Sequence, residues 1–326
     1  MTALTDQHPW LSDPWQKLTR RLDRIPHALL LAGLNGMAKN RFAFELAALL
    51  LCTKSKDDTP CGNCRSCKLF TAKTNPDIKI VAPIEEGKLI SIDQVRGIIS
   101  WLALTPHTAD RKIVVLTPAE MMTTQAANSL LKQLEEPPGN SILILVSHAP
   151  HRLPQTIRSR CSRIEFKPPP AEEAALWLAN QNVAKSDIVS LLSAAGGAPP
   201  AALLLAQQGY AEIQQSMLEQ LLAISSGGNP LRCAEQWQKT GGELALRWFY
   251  GFLLSILKLT LNAGDSQNLE NEKAASAISV AAKRIPASRV AELLEAVNEA
   301  RRLIATPVDE RLLLEDILIR WNRVYA

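Results

Sequence analysis

Four cysteines lie close together in one polar stretch of the chain and could bind a metal ion. They follow a C-x8-C-x2-C-x2-C spacing among residues that are mostly Lys, Asp, Asn and Gly, and they are Cys52, Cys61, Cys64 and Cys67. Such a stretch has too few apolar residues to form a core of its own. Four thiolates complete the tetrahedral shell of a structural zinc ion, so the spacing predicts zinc. An iron–sulfur cluster is the alternative, although the cysteine followed by proline that ends a ferredoxin run is missing here.

A second candidate site precedes this stretch at Gly33 to Asn40, which reads Gly-Leu-Asn-Gly-Met-Ala-Lys-Asn. It lies between an apolar run and a segment with helical apolar spacing, which is the context of a phosphate-binding P-loop. Gly33, Gly36 and Lys39 match that motif. Ala38 replaces its last glycine, and Asn40 replaces the hydroxyl residue that binds magnesium. The sequence therefore predicts a degenerate P-loop without its metal ligand.

Hydrolysis of a bound nucleotide also requires an acidic residue at the tip of a neighbouring strand. The apolar run Ile113 to Leu116 predicts such a strand, but the residues after it are Thr117-Pro118-Ala119-Glu120. Glu120 comes several residues late, where a carboxylate can face the start of a helix. Two losses therefore agree, and we do not expect this chain to hydrolyse ATP alone. The competing hypothesis is a P-loop ATPase that tolerates Asn40 and Ala38.

Two arginines follow the last long strand of the predicted sheet, in the segment Arg158-Ser159-Arg160-Cys161. Ligands of parallel sheets gather at this end of the strands. Arginines there can stabilise charge on a transferring phosphoryl group, even one held by a neighbouring subunit. The simpler interpretation, which the spacing alone favours, is that they are solvated or pair with Glu135 and Glu136.

Composition limits the class of protein. The chain has 326 residues, nearly half of them apolar, a formal net charge of +4 and six cysteines. This predicts two or three packed domains and argues against a dedicated nucleic-acid arm. Met1 to Pro9 lacks the pattern of a signal peptide, and the longest apolar run, Trp248 to Leu257, is well short of the roughly 18 residues of a membrane span. We expect a cytoplasmic protein in which cysteines bind metal or stay free, as for Cys233.

Strands and helices alternate along the first half of the chain, which predicts a parallel sheet in a three-layer α/β domain. Strands are expected at 28–32, 78–81, 113–116, 142–146 and 164–166. Ser91 and Gln94 form a capping box for one of the helices. Pro168-Pro169-Pro170 ends this pattern, and the rest of the chain has only helical apolar spacing.

Three motifs together resemble the clamp-loader subunits of the AAA+ superfamily in bacterial DNA polymerase III. They are the cysteine insert after the P-loop helix, the segment Asn128-Ser129-Leu130-Leu131-Lys132-Gln133-Leu134-Glu135-Glu136-Pro137-Pro138, and the triplet Ser159-Arg160-Cys161. The resemblance covers essentially the whole chain, and the broken P-loop separates it from the ATPase subunits. It implies an AAA+ domain at 1–167 with a zinc module at 52–67, a helical lid at 168–208 and a helical collar at 209–326.

The same resemblance implies roles for single residues and for partners. Arg160 would act in trans as an arginine finger on ATP held by the adjacent ATPase subunit, with Arg158 as a helper. Pro200 stands where an active member has a phosphate-sensing arginine. Expected partners are the gamma and tau ATPase subunits, the delta subunit, the sliding clamp and primed DNA. A zinc-dependent DNA-binding module at 52–67 is a third hypothesis, which the shortage of aromatic residues for base stacking disfavours.

Overall fold

The computed structural model describes residues 4–20, 22–55, 58–85, 87–261, 272–304 and 308–325. Residues 56 and 57 of the cysteine-rich stretch therefore lie outside the described part of the chain. The chain forms two compact units, one up to Pro169 and one from Pro170 onward. The division falls within the run of three prolines, which can continue neither a helix nor a central strand.

The first unit is built on a five-stranded sheet whose strands are all parallel. In chain order the strands are β1 (Ala28–Gly33), β2 (Ile78–Val81), β3 (Lys112–Leu116), β4 (Ser141–Ser147) and β5 (Ser162–Phe166). Their spatial order is β2-β3-β4-β1-β5. The central strands β3 and β4 are buried along their whole length, as their continuous apolar sequence predicts. The predicted parallel sheet is confirmed, with most strands one or two residues longer than predicted.

Seven α-helices accompany these strands within the described residues, two before β1 and five between successive strands. They are α1 (Leu4–Gln7), α2 (Ser12–Thr19), α3 (Lys39–Leu51), α4 (Arg65–Thr71), α5 (Ile92–Leu102), α6 (Thr124–Glu135) and α7 (Gln155–Arg158). Apolar side chains of α5 and α6, such as Val95 and Leu130, share one core with Leu30 of the sheet. On α3, the ring of Phe42 contacts the rings of Trp15 and Phe166, at 5.3 and 5.0 Å between centroids.

Local signals set where several of these helices begin. Ser91 accepts from the backbone N–H of Gln94, and the Gln94 side chain accepts from the backbone N–H of Ser91, which is the predicted capping box before α5. The first amphipathic helix ends earlier than its apolar spacing indicates, because α2 stops at Thr19 and Leu22 lies in a separate 3₁₀ turn.

The second unit is helical throughout its described residues. Its helices are α8 (Ala171–Asn180), α9 (Lys185–Ala194), α10 (Pro199–Gln207), α11 (Tyr210–Ser225), α12 (Pro230–Thr240), α13 (Gly242–Thr260), α14 (Glu272–Arg284), α15 (Ala287–Leu303) and α16 (Glu310–Tyr325). Aromatic rings form the centre of its core, where Phe249 lies 5.6 Å from both Trp237 and Trp321 between ring centroids. The same core continues to Ala174, so the predicted boundary between lid and collar at 208 stays a prediction.

No single helix in the described ranges is long and apolar enough to cross a membrane. The pair α9 and α10 meets the length and composition criteria only when the two helices are joined across a bend of 116°.

Candidate functional site

The loop between β1 and α3 contains two residues in the left-handed backbone region. A Cβ atom at Gly33 would lie 2.3 Å from the carbonyl oxygen of Phe166, so glycine is required for β1 to pack beside β5. Gly36 has a φ of 77°. Ala38, at the position of the lost glycine, still adopts the left-handed conformation, with φ of 57° and ψ of 22°. That conformation costs an L-residue about 1–2 kcal/mol, so this turn adopts a conformation that glycine would favour.

Lys39 is directed at its own loop. Its Nζ donates to the carbonyl oxygens of Gly33 and Leu34, at 2.8 and 2.5 Å, and only 2 % of the residue is exposed. Burial lowers the pKa of Lys39 to about 8, and the carboxylate of Glu120 opposes that shift. The side chain of Lys39 therefore stabilises the turn through these two hydrogen bonds.

The two positions where the sequence predicts missing magnesium ligands bond to each other. The Thr117 hydroxyl, just after β3, donates to the side-chain oxygen of Asn40 on α3 at 2.6 Å. An amide and a hydroxyl in this arrangement supply no carboxylate, and the amide oxygen is occupied by the hydroxyl proton. Neither of these two side chains offers the charged oxygen that Mg²⁺ prefers. The sequence predicted both losses, but it did not predict that the two replacements would pair.

Glu120 lies in a 3₁₀ turn after β3, and it caps a neighbouring loop. Its Oε1 accepts from the backbone N–H groups of His148 and Ala149, at 2.9 and 3.1 Å, just beyond the end of β4. Burial lowers the pKa of His148, with Lys39 adding to the shift and Glu120 opposing it. This carboxylate is therefore used for structure, and sequence spacing alone gave no signal of its distant backbone partners.

The four clustered cysteines converge as their spacing predicts. Their sulfur atoms all lie within 4.8 Å of one another. A tetrahedral metal with Zn–S bonds of 2.3 Å separates its sulfurs by about 3.8 Å, and the sulfurs of Cys52 and Cys64 are 4.0 Å apart. Cys52 ends α3, Cys64 caps the start of α4, and Cys67 lies buried within α4. The donor set fits a tetrahedral metal ion, and this cluster can hold one.

Backbone N–H groups already point at three of these sulfurs. The N–H groups of Cys61, Cys64 and Cys67 donate to the sulfurs of Cys52, Cys61 and Cys64 respectively, at 3.3 to 3.4 Å. At Cys64 burial acts to raise the pKa, but donors that include the N–H of Cys67 outweigh it and lower the pKa to about 6. Such donors favour thiolates, the form that binds metals.

Arg160 is exposed and is held within its own chain. Its Nε and Nη2 both contact Oε1 of Glu135 at 2.5 Å, and its Nη1 donates to the carbonyl oxygen of Thr156 at 3.2 Å. The pairing that the sequence suggested with Glu135 is therefore present, whereas Arg158 is an exposed residue at the end of α7. Burial raises the pKa of the adjacent Cys161 thiol to about 12, so it is not a reactive thiol.

Comparison with known proteins covers nearly the full chain. The family model described as DNA polymerase III, delta subunit matches residues 11–170, and the one described as its C-terminal part matches residues 208–323. The DNA polymerase III subunit delta' of Pseudomonas aeruginosa is 34% identical over 98% of this chain and 98% of that protein. The chain belongs to the delta prime family of DNA polymerase III subunits. The delta prime subunit of Escherichia coli is 30% identical over 96% of this chain and 94% of that protein.

Membership in the delta prime family confirms the resemblance to DNA polymerase III subunits, and the five-stranded parallel sheet confirms the predicted α/β fold of the first unit. The tau subunit of Bacillus subtilis is also similar, with 35% identity over 44% of this chain and 25% of that protein. Delta prime subunits are accessory subunits of the polymerase, which agrees with the expectation that this chain is not catalytic alone. The first unit, up to Pro169, carries the loop, the cysteines and Arg160.

Proposed function

We propose that this delta prime chain is a clamp-loader subunit that does not hydrolyse ATP and that gives Arg160 to ATP held by a neighbouring subunit. In this role it helps place the sliding clamp on primed DNA. The proposal rests on one observation above the others, the hydrogen bond between Thr117 and Asn40 at the two magnesium positions. A chain with those positions paired to each other has no metal chemistry of its own and can act only on nucleotide bound elsewhere.

The isolated chain tests the first half of this proposal. Calorimetry with ATP and Mg²⁺ should detect no binding, and the purified chain should show no ATP turnover above that of a buffer blank. The rival hypothesis, an ATPase with a degenerate but working loop, requires turnover that Lys39→Ala abolishes. That result would exclude the non-hydrolysing role.

The reconstituted clamp loader tests the second half. Arg160→Ala should leave the subunit composition of the complex unchanged, as measured by native mass spectrometry, while lowering the rates of ATP hydrolysis and clamp loading. Arg163→Ala is the matched control, because Arg163 is also an exposed arginine with an intrachain partner, Glu165, at 3.2 Å. Equal rates for wild type and Arg160→Ala would refute the arginine finger.

We also propose that the metal bound by the four cysteines is structural zinc. The four sulfur ligands leave no open position for a substrate, which is the pattern of structural sites. Metal analysis of anaerobically purified protein should return about one zinc per chain, and Cys64→Ser should lower that content. Iron with a visible absorption band would instead support the iron–sulfur alternative.

The remaining parts of the proposal concern partners and organisation. We expect the chain to assemble with the gamma or tau and delta subunits in the cytoplasm, through a collar at 209–326, with a lid at 168–208 and an AAA+ domain at 1–167. Native mass spectrometry of chains truncated after residue 208 tests the collar. Assembly of such a truncated chain at wild-type affinity would contradict its role in closing the ring.

A further inference from the structure

The guanidinium of Arg160 has more donors than its intrachain contacts use. A guanidinium carries five N–H groups. Nε and Nη2 each use one of them on Glu135 Oε1, and Nη1 uses one on the Thr156 carbonyl oxygen. Within the described residues this leaves one N–H on Nη1 and one on Nη2. Both remaining N–H groups lie on the two terminal nitrogens, which can donate to phosphate oxygens.

The contact with Glu135 therefore restrains the arginine side chain and leaves two of its N–H groups available. Glu135 is the last residue of α6, immediately before Glu136-Pro137-Pro138, and Thr156 lies in α7. Both partners are thus fixed by helices of the same unit. An unpaired arginine side chain samples many rotamers, and ordering it at the moment of reaction costs conformational entropy.

The strength of the contact suits this purpose. The two side chains are 36% and 49% exposed, and both nitrogens share a single carboxylate oxygen. Exposed ion pairs shift an equilibrium by only about two- to five-fold. A pair of that strength biases the rotamer of Arg160 but cannot compete with the charge of a triphosphate for the whole side chain. The adjacent Glu136, also exposed, is not an ion-pair partner of Arg160 in the described structure.

We infer that Glu135 is a positioning residue for Arg160, which it holds with one N–H on each of Nη1 and Nη2 available for the phosphate oxygens of ATP on a neighbouring subunit. This inference rests on the proposed function of Arg160. It adds a second residue, from the segment Leu134-Glu135-Glu136-Pro137, whose effect on ATP turnover passes entirely through the arginine.

The test uses the reconstituted clamp loader and steady-state ATP hydrolysis with three single-residue variants of this chain. Glu135→Gln should lower kcat about two- to five-fold with KM for ATP unchanged, because the arginine does not bind the ground-state nucleotide alone. Glu135→Asp should recover part of the rate. Glu136→Gln is the control and should match wild type. Native mass spectrometry confirms that each variant assembles.

A double-variant cycle makes the assignment specific. In the Arg160→Ala background, Glu135→Gln should cause no further loss, since a positioning residue has nothing left to position. A wild-type or faster rate for Glu135→Gln, or an equal loss in both backgrounds, would overturn the inference alone, provided that Arg160→Ala lowers the rate. No effect of Arg160→Ala would overturn the proposed function and this inference with it.

Discussion

The degenerate phosphate loop and the segment around Arg160 differ in how their polar groups are satisfied. In the loop, Lys39 is almost fully buried and bonds two carbonyl oxygens of its own turn, and Asn40 bonds Thr117. Arg160 is exposed, and its contacts within the described residues use three of the five N–H groups of the guanidinium. Groups satisfied inside the chain contribute to folding, whereas a partly satisfied exposed cation can act on a partner. The comparison teaches that resemblance to a motif and availability of polar groups for a partner are separate properties, because the more motif-like region is the one whose polar side chains bond within the chain.

The largest expected effect comes from Arg160→Ala, for which ATP turnover and the free energy of unfolding are both measured. Arg160→Ala should lower ATP turnover at the neighbouring subunit's site in the assembled clamp loader by about 10³-fold, as loss of an arginine finger does in other phosphoryl-transfer systems. Its free energy of unfolding should change by less than about 1 kcal/mol, because the pair it loses is exposed. Urea denaturation of the isolated chain gives the second value. A large loss of stability with unchanged turnover would reverse the comparison.

For the loop we expect the opposite: a change at Lys39 should alter the free energy of unfolding and leave ATP turnover unchanged. The pH dependence of stability tests this. The pKa of Lys39 is about 8 in the folded chain and about 10.4 in an unfolded one. Between these values the unfolded chain binds more protons, so Lys39 makes the free energy of unfolding rise with pH, by up to about 3 kcal/mol. That contribution is full above the unfolded pKa and is lost as pH falls through 8.

Lys39→Met isolates this contribution from those of other titrating groups. The difference in free energy of unfolding between wild type and Lys39→Met should increase from pH 7.5 to pH 9.5 in urea titrations. Turnover of the assembled clamp loader should stay at the wild-type level, because the proposed function places the hydrolysed ATP on a neighbouring subunit and not in this loop. A difference that is constant with pH would show that the lysine is solvated.

A smaller effect is expected at the paired magnesium positions. Thr117→Val keeps the shape of the buried side chain and removes the donor to Asn40, so it should lower the free energy of unfolding by about 0.5–1.5 kcal/mol. The cycle with Asn40→Ala should give a coupling energy of the same size, since the two residues are joined by one hydrogen bond. Additive effects of the two changes would show that this bond contributes nothing.

Sequence patterns predicted the elements of the first unit better than the contacts between them. β2 was predicted within its observed bounds, and the Ser91 capping box was found, because both depend on neighbouring residues. The four cysteines were also predicted to converge, since they lie in one short insert. The bond between Asn40 and Thr117 joins residues 77 apart, and it depends on strand order, which no local pattern contains.

The pairing of Arg160 was partly predictable, unlike the Asn40–Thr117 bond. Its partner Glu135 was one of two adjacent carboxylates that the sequence offered, at a separation of 25 residues. Choosing between Glu135 and Glu136 requires knowing where α6 ends, because consecutive residues at the end of a helix point in different directions. Predicting this pair would have required the end of α6 to be placed correctly to a single residue. The structure gives that boundary, and the sequence pattern does not.

The smallest effect tests whether the backbone at Ala38 favours glycine. Ala38 adopts a φ of 57°, which costs an L-residue about 1–2 kcal/mol and costs glycine nothing. Ala38→Gly should therefore raise the free energy of unfolding by about 0.5–1 kcal/mol after the greater entropy of an unfolded glycine is subtracted. Ala48→Gly, in the interior of α3, is the control of opposite sign and should lower it by about 1 kcal/mol or more. A destabilising Ala38→Gly would mean that the turn no longer requires the left-handed conformation. A stabilising one, with ATP binding still absent, would show that the glycine supported only the shape of the loop.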